Sequence, residues 1–372
     1  MTSWSESMGE WRQRPLRDLV SLQRGYDLPA ETRITGTVPV VGSGGISGWH
    51  NEAREEGPGV VVGRAGASIG KPTLVKGAYW PLNTTLFVKD FKGNDPRWVY
   101  YLFEITDFAG YNSGGAQPML NRNYIADLQV RTPGISEQRA IADLLGALDD
   151  KISANDRVIA NAESLMIVQA GNASSRTSVA DLAEQHKATL SPGYFDAKVA
   201  HFSLPSFDEG KMPEIASGGS IKSNKILISE PCVLMSKLNP RIPRIWDLAA
   251  LPGRMSLAST EFVALVPGRI SSSLLWATLS EPSVSVDLAA NVAGTSGSHQ
   301  RVKPAELLAL RVKDPRALAR EVQQSIADLG VLCHLRRMES ARLRVTRSQL
   351  LPLLMSGKVW VREAEKVVEG VV

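Results

Sequence analysis

The sequence has few residues of the kinds that build disulfide frameworks and metal sites. Its two cysteines, Cys232 and Cys333, cannot form a set of cross-links or a four-cysteine zinc site. The histidines are scattered, and no two of them are three or four residues apart: His50, His186, His201, His299 and His334. We therefore expect the chain to bind no metal and no cofactor of its own.

Long apolar runs and a secretory leader are also missing. The longest aliphatic stretches, such as Gly59–Val62, are far shorter than the roughly 20 residues that span a bilayer. The first ten residues are polar and of mixed charge, unlike a signal peptide. Hydrophobic residues make up 43% of the 372 residues and charged residues 22%, as in soluble globular proteins. These features predict a cytoplasmic protein of about two domains.

Motifs for nucleotide binding and catalysis are incomplete. The loop Gly63–Pro72 departs from the phosphate-binding template, because Ala65 replaces its first glycine and Pro72 its serine or threonine. A surface loop that brings Arg64 and Lys71 close to a polyanion is the better interpretation. No nucleophile, base and carboxylate stand at a spacing that suggests a catalytic set. We expect the chain not to be an enzyme by itself.

The chain repeats itself over about 175 residues. Four segments recur in the same order at slightly different offsets: Pro39–Gly45 and Pro213–Gly219 (174), Val60–Lys71 and Val233–Arg244 (173), Thr84–Val88 and Ser259–Val263 (175), Leu16–Leu19 and Val179–Leu182 (163). Within each copy, short runs of β-branched and aromatic residues are cut by Gly, Pro, Ser and Asn, which is typical of strands and turns. The repeat predicts two related domains.

A long helix is predicted over residues 136–171, between the two copies. This stretch has no proline, Gly146 is the only glycine before its last residue, and its apolar or small residues follow a heptad seam: Ile141, Leu145, Leu148, Ile152, Ile159, Ala162 and Met166. Asn155 occupies the remaining seam position. It either fixes the register of a helix pair or is an asparagine tolerated at a partly exposed position.

A second long helix is predicted over 315–360, with its apolar face at Val322, Ile326, Leu329, Cys333 and Leu335. Residues 136–171 have three basic and six acidic residues (net −3), whereas 313–372 have eleven and seven (net +4), which favours antiparallel pairing. The predicted fold class is α+β. Two mixed α/β domains, at 1–135 and 172–314, are separated by two long antiparallel, coiled-coil-like helices in a pseudo-twofold repeat, and 361–372 form a C-terminal tail.

Several segments resemble the specificity subunit of type I restriction–modification systems. The similarity lies in Val61–Lys71 and Trp80–Val88, in Leu234–Pro243 of the second copy, and in the helical stretches Ser136–Ala142 and Leu350–Val359. It covers nearly the whole chain, about residues 12 to 360. In one respect the chain departs from the family, because the second helix has Ala-Arg-Glu at 319–321 in place of the Ser-Glu-Gln that opens the first.

The resemblance implies two target-recognition domains that each read half of a bipartite, asymmetric site in double-stranded DNA. It further implies that the helices act as a ruler and as a docking surface for two adenine methyltransferase subunits. Those subunits would bind S-adenosylmethionine, and endonuclease/translocase subunits would join the complex. The family's DNA-proximal Gly/Ser loops correspond to residues 113–115 and 295–298.

The residues proposed to contact DNA are small or basic and lie in turns. They are Ser43, Gly44, Arg64, Lys71 and Arg122 in the first domain, and Ser217, Lys237, Arg241, Arg244 and Arg301 in the second. Ordinary surface turns with solvated charges explain the same residues. The residues proposed for helix pairing or partner docking are Ile141, Leu145, Leu148, Ile152, Asn155, Ile159, Val322, Ile326 and Leu329.

Two other classes of function stay open. In the first, the chain would be an assembly or inhibitory protein that occupies methyltransferase subunits without reading DNA. In the second, it would be a self-contained enzyme. Reversing the charge of Arg64, Lys71, Lys237 and Arg244 separates DNA reading from pure assembly, because only the first needs those charges. Methylation of DNA by the purified chain with S-adenosylmethionine would show that it is a self-contained enzyme.

Overall fold

A computed structural model describes residues 11–111, 119–240, 242–292 and 301–370, apart from the side chains of Ala109, Asn291 and Val292. The chain divides into two units. The first unit contains residues 1–150 and 343–372, and the second contains residues 151–342. Arg241 and the loops at 113–115 and 295–298 lie outside the described residues.

The first unit contains nine strands, four helices that lie wholly within it, and parts of two long helices, among its described residues. The strands are β1 (Arg12–Pro15), β2 (Ser21–Arg24), β3 (Val38–Gly42), β4 (Gly45–His50), β5 (Gly59–Gly63), β6 (Pro72–Val75), β7 (Trp80–Pro81), β8 (Thr85–Asp90) and β9 (Gln129–Thr132). The helices are α1 (Leu16–Leu19), α2 (Pro96–Ile105), α3 (Arg122–Ile125), the start of α4 (Ile135–Gly171), the end of α9 (Arg320–Met355) and α10 (Val361–Glu369).

The second unit contains the remaining elements and the other parts of α4 and α9. The strands are β10 (Arg176–Ser178), β11 (Ala183–His186), β12 (Thr189–Leu190), β13 (Lys198–Phe202), β14 (Glu214–Ser217), β15 (Lys225–Ile228), β16 (Cys232–Ser236), β17 (Ile245–Leu248), β18 (Ser256–Ala258), β19 (Phe262–Pro267) and β20 (Arg311–Lys313). The helices are α5 (Leu204–Asp208), α6 (Ser272–Leu279), α7 (Pro282–Val292) and α8 (Pro304–Ala309).

Both units are built on the same strand topology. The four-stranded sheet β2-β8-β5-β6 of the first unit corresponds to β11-β19-β16-β17 of the second. The β1–β9 ribbon corresponds to β10–β20, and the β4-β3-β7 sheet corresponds to β14-β13-β18, which is widened by β15 and β12. The predicted α+β fold with an internal repeat is confirmed.

Two of the four predicted repeat matches agree with the sheet registers. Gly63 N donates to Lys71 O at 3.0 Å and Ser236 N to Arg244 O at 2.9 Å, which places the β5 and β16 loops at an offset of 173. The offset of 163 is also correct, since Leu16 N donates to Leu128 O and Val179 N donates to Leu310 O.

The other two matches were wrong. Gly63 pairs with Thr85 on β8 and Ser236 pairs with Phe262 on β19, so the last strands are offset by 177 rather than 175. The strand that corresponds to β3 is β13. Strand β3 pairs in parallel with β7, which precedes β8, and β13 pairs in parallel with β18, which precedes β19. The segment Pro213–Gly219 instead enters β14, after an excursion that includes α5.

Helix α4 begins within one residue of its predicted start and buries the whole predicted seam. Asp95 caps the neighbouring helix α2 by accepting hydrogen bonds from the backbone N–H groups of Arg97 and Trp98, with Pro96 in the first turn. Along α4 the seam residues are less than one tenth exposed: Ile141, Leu145, Leu148, Ile152, Asn155, Ile159, Ala162 and Met166. The buried position of Asn155 argues against the partly exposed alternative.

Helix α9 is shorter than predicted and its face is different. It spans Arg320–Met355 rather than 315–360, because Pro315–Ala317 form a separate 3₁₀ turn and Gly357 has a left-handed backbone (φ 68°). Ile326 is buried and Val322 and Leu329 pack against the same core, but Leu335 is 56% exposed and was wrongly placed on this face. The predicted C-terminal tail contains the helix α10, which buries Val361 and Ala364.

The two long helices pair antiparallel within the second unit. Asn155 Nδ2 donates to Glu339 Oε2 at 3.0 Å, and further along α4 Ile159 packs with Cys333. Met166 shares a core with Ile326, so positions rise along α4 as they fall along α9. None of the helices in the described ranges is long and apolar enough to cross a membrane.

Candidate nucleic-acid interface

The loop between β5 and β6 holds Arg64 by its backbone and by its side chain. Its N–H donates to Thr84 O at 3.0 Å, and its carbonyl accepts from Leu120 N at 2.9 Å. The guanidinium Nε donates to Leu120 O at 3.2 Å. Burial lowers the pKa of Arg64, and the neighbouring Arg24 lowers it further. The backbone and side-chain hydrogen bonds thus fix the position of the Arg64 guanidinium at this loop.

Ser43 and Gly44 lie against the same loop. Ser43 Oγ donates to Thr84 O at 2.5 Å and accepts from Ala65 N at 3.4 Å. A side chain at Gly63 would clash, because its Cβ would lie 2.1 Å from Ser68 O. The structure therefore brings Ser43, Gly44 and Arg64 together, as the sequence prediction requires for one surface.

Lys71 and Arg122 are placed differently from this cluster. Lys71 is exposed at the end of the loop and makes no side-chain hydrogen bond or ion pair within the described part of the chain. Arg122 opens α3, and its Nη1 donates to Leu22 O at 3.4 Å. It shares a shallow surface depression with Arg17 and Lys92, two cations that the sequence reasoning missed. Arg24 was missed as well, although at the offset of 163 it corresponds to another cation, Lys187.

In the second unit, the equivalent loop between β16 and β17 pairs through its backbone with the segment that contains Arg301. Lys237 N donates to Glu261 O at 2.8 Å, and Val302 N donates to Lys237 O at 2.9 Å. Arg301 Nη2 lies 3.1 Å from Glu261 Oε1. Glu261 corresponds to Thr84 of the first unit, so the surface of the second unit has a carboxylate at this position. The sequence comparison had aligned Glu261 with a different residue.

Arg244, the counterpart of Lys71, is paired with an acid. Its Nε and Nη2 lie 2.7 and 2.9 Å from the two carboxylate oxygens of Asp208 on α5. This bidentate pair raises the pKa of Arg244 and lowers the pKa of Asp208. The first unit has no counterpart of α5 between its described β3 and β4, where only Ser43 and Gly44 intervene. The two loops therefore differ in charge at this position.

Ser217 is not close to the other proposed residues of its unit. It pairs with Lys198 at the start of β13, whereas Phe202 at the end of β13 accepts a hydrogen bond from Ser259 N, close to Glu261. The two ends of β13 are four residue steps apart, or about 13 Å. The residue that corresponds to Ser43 is Leu204, so the second Ser-Gly-Gly was wrongly equated with the first.

Residues 8–164 match the sequence profile of the type I restriction modification DNA specificity domain. This segment is similar to the DNA specificity domain of type I restriction–modification systems. The resemblance seen in the sequence is thereby confirmed. The Escherichia coli type I restriction enzyme EcoprrI specificity subunit is 25% identical to the chain over 154 residues. That alignment covers 40% of this chain and 38% of the relative, so the chain spans well under half the length of this relative.

The fold of nearly the whole chain has a solved counterpart. The crystal structure of the S subunit of a type I restriction–modification system from M. genitalium has a TM-score of 0.66, with 95% of this chain and 97% of that chain covered. The sequence identity is 14%, so the likeness concerns the fold. Within the described residues no group of three or more histidine, cysteine or acidic side chains is placed to hold a metal ion.

Proposed function

We propose that this chain is the DNA sequence-recognition subunit of a type I restriction–modification complex, and that each unit reads one half of a bipartite, asymmetric site. One observation carries the proposal. The β5–β6 loop has the same length as the β16–β17 loop of the second unit, shares four backbone hydrogen bonds with it, and carries cations at matching positions, Arg64 and Lys71 against Lys237 and Arg244. Backbone donors and cations at such loops suit DNA phosphates and base edges.

The two loops present different side chains on that shared backbone. Arg64, Lys71 and Thr84 of the first unit correspond to Lys237, Arg244 and Glu261 of the second. Because these groups differ in hydrogen-bonding pattern and in net charge, the two half-sites should differ in sequence. An asymmetric recognition site follows from a repeat that has diverged at its loops.

We propose that the chain is not catalytic by itself and binds no cofactor. Two adenine methyltransferase subunits, which bind S-adenosylmethionine, would supply methylation, and endonuclease/translocase subunits would supply cleavage. The residues proposed for docking are buried within the units, except Val322 and Leu329, which are partly buried, so a partner would meet mainly other side chains of the helices. Exposed apolar residues suited to this role in the second unit are Val158, Leu165, Val168, Val331 and Leu335.

Charge reversal at the two lysines without described partners tests DNA reading. The full chain, with the methyltransferase subunits supplied, is used to enrich a random-sequence DNA duplex library, and the enriched motif is sequenced. Lys71→Glu should weaken or erase the first half-site and Lys237→Glu the second, with a shallower dependence of affinity on salt. Lys366→Glu on α10 changes the net charge equally and should leave the motif intact.

An unchanged motif in both loop variants would contradict the proposed role of the loops. A wild-type complex that enriches no motif would instead favour the alternative, an assembly or inhibitory protein that occupies methyltransferase subunits without reading DNA. Loss of methyltransferase binding in Leu165→Glu, with the wild-type unfolding midpoint retained, would support docking on the exposed helix face.

A further inference from the structure

The tips of the two equivalent loops carry different residues on the same unusual backbone. Gly66 has φ 72° and Asn239 has φ 56°, both in the left-handed region. Each accepts a hydrogen bond from the residue three positions on, Ile69 N at 3.3 Å and Ile242 N at 2.9 Å. The two loops therefore share this left-handed residue and this hydrogen bond, although only one of them has a glycine where the backbone favours glycine. They differ beyond it, because Gly70, with φ 80°, corresponds to Pro243, whose ring excludes a positive φ.

Asn239 has an amide that is free to bind. The residue is exposed, and within the described part of the chain its side chain makes no hydrogen bond. Gly66 is also exposed, and a Cβ built there would meet no atom within 4 Å. Asparagine tolerates a left-handed backbone better than most residues, but glycine adopts it without strain. A free amide at a strained tip is thus explained neither by packing nor by the fold of the loop.

The base of this loop is held firmly. Lys237, two residues before Asn239, is bonded through its backbone to Glu261 and Val302, and Leu238 forms a β-bridge with Arg301. Pro240, the next residue, is buried. The amide is therefore presented from a fixed support, which is the condition for discriminating one base from another rather than contacting any of them.

We infer that Asn239 is a specificity-determining residue that reads an adenine in the half-site of the second unit. Its carboxamide accepts a hydrogen bond from adenine N6 and donates one to N7 in the major groove, a pairing that no other base edge offers in the same order. Gly66 offers no side chain, so the first unit does not read a base at this position of its loop. The inference rests on the proposed DNA-reading function.

The test compares Asn239→Gly and Asn239→Asp with the wild-type full chain in the same enrichment of a random-sequence DNA library, with methyltransferase subunits supplied. Asn239→Gly should lose the preference for adenine at one position of one half-site, by about 5- to 150-fold, the ratio given by one bidentate base contact. Asn239→Asp, which only accepts hydrogen bonds, should move that preference toward cytosine. The other half-site should not change.

Asn224→Gly, the same substitution at another exposed asparagine of this unit, is the matched control and should leave the motif intact. The unfolding midpoint of Asn239→Gly should equal or exceed that of the wild type, because glycine relaxes the left-handed backbone. An enriched motif that is identical in the wild type and both Asn239 variants would overturn this inference alone. A wild-type complex without any motif would overturn the proposed function and this inference with it.

Discussion

Arg347 of α9 is the centre of a partly buried ion-pair network in the first unit. Its Nε lies 2.6 Å from Asp149 Oδ1, and its Nη2 lies 2.5 Å from Glu104 Oε2. Its guanidinium lies 5.5 Å from the centre of the Tyr101 ring, and the Tyr101 hydroxyl donates to Asp149 Oδ2 at 2.7 Å. Burial and then Asp149 raise the pKa of Tyr101, so the hydroxyl stays protonated and keeps donating.

Arg347→Ala should lower the free energy of unfolding by about 2–4 kcal/mol, because two carboxylates lose their common cation in a site that is only partly solvated. The measurement is urea unfolding of the full chain. Lys76→Ala is the matched control, since its ion pair with Asp150 is exposed and should contribute less than about 1 kcal/mol. Equal losses in the two variants would show that the network around Arg347 is as weak as a surface pair.

At the scale of elements, α4 could be predicted almost to the residue and α9 could not. The α4 seam is apolar except at Asn155, so its period is visible in the sequence. The buried positions of α9 include Ser340 and Leu343, and Arg347 lies partly buried along the same stretch, which hides the period and allowed Leu335 to be chosen in error. Arg347 is held along this stretch by ion pairs that no sequence period reveals.

The entry of α9 also resembles that of α4 more than its sequence suggested. Gln138 Nε2 donates to Pro133 O at 3.1 Å, and Gln323 Nε2 donates to Leu318 O at 2.9 Å. Gln323 therefore makes the same hydrogen bond, to the carbonyl five residues before it, as Gln138 makes at the start of the first helix. The sequence comparison had found no such glutamine at the start of the second helix. The loops were harder to align, because the second unit has an excursion of the chain around α5 and four extra residues before β19, which displaced the apparent matches.

Two glycines in the long helices should respond differently to alanine. A Cβ at Gly330 would lie 1.9 Å from Ser273 Oγ and 2.4 Å from Ser273 Cβ, so Gly330→Ala should destabilise the protein by about 1–3 kcal/mol despite its better helix propensity. A Cβ at Gly146 meets mainly the flexible end of Arg97, and the gain in propensity of about 1 kcal/mol should offset that displacement. Thermal and urea unfolding of both variants distinguish the cases, and a neutral Gly330→Ala would contradict the close packing of α9 on α6.

At the scale of the whole molecule, both long helices run through residues of both units. α4 has 37 residues and α9 has 36. At 1.5 Å per residue, each helix is about 55 Å long. If these helices set the distance between the half-sites, as the family resemblance implies, changing their length in whole heptads should change the gap and leave the loops unaffected.

Seven residues inserted after Asn155 in α4 and seven inserted after Glu339 in α9 preserve the heptad phase of the pair. Each helix then lengthens by about 10.5 Å, which corresponds to about 3 base pairs of duplex. The enriched motif should keep both half-sites while its nonspecific gap grows by about three positions. Insertions of five residues put the seams out of phase, so they should lower stability instead. A heptad variant that folds like the wild type yet keeps the original gap would show that the spacing is set elsewhere in the complex, for example by its methyltransferase subunits.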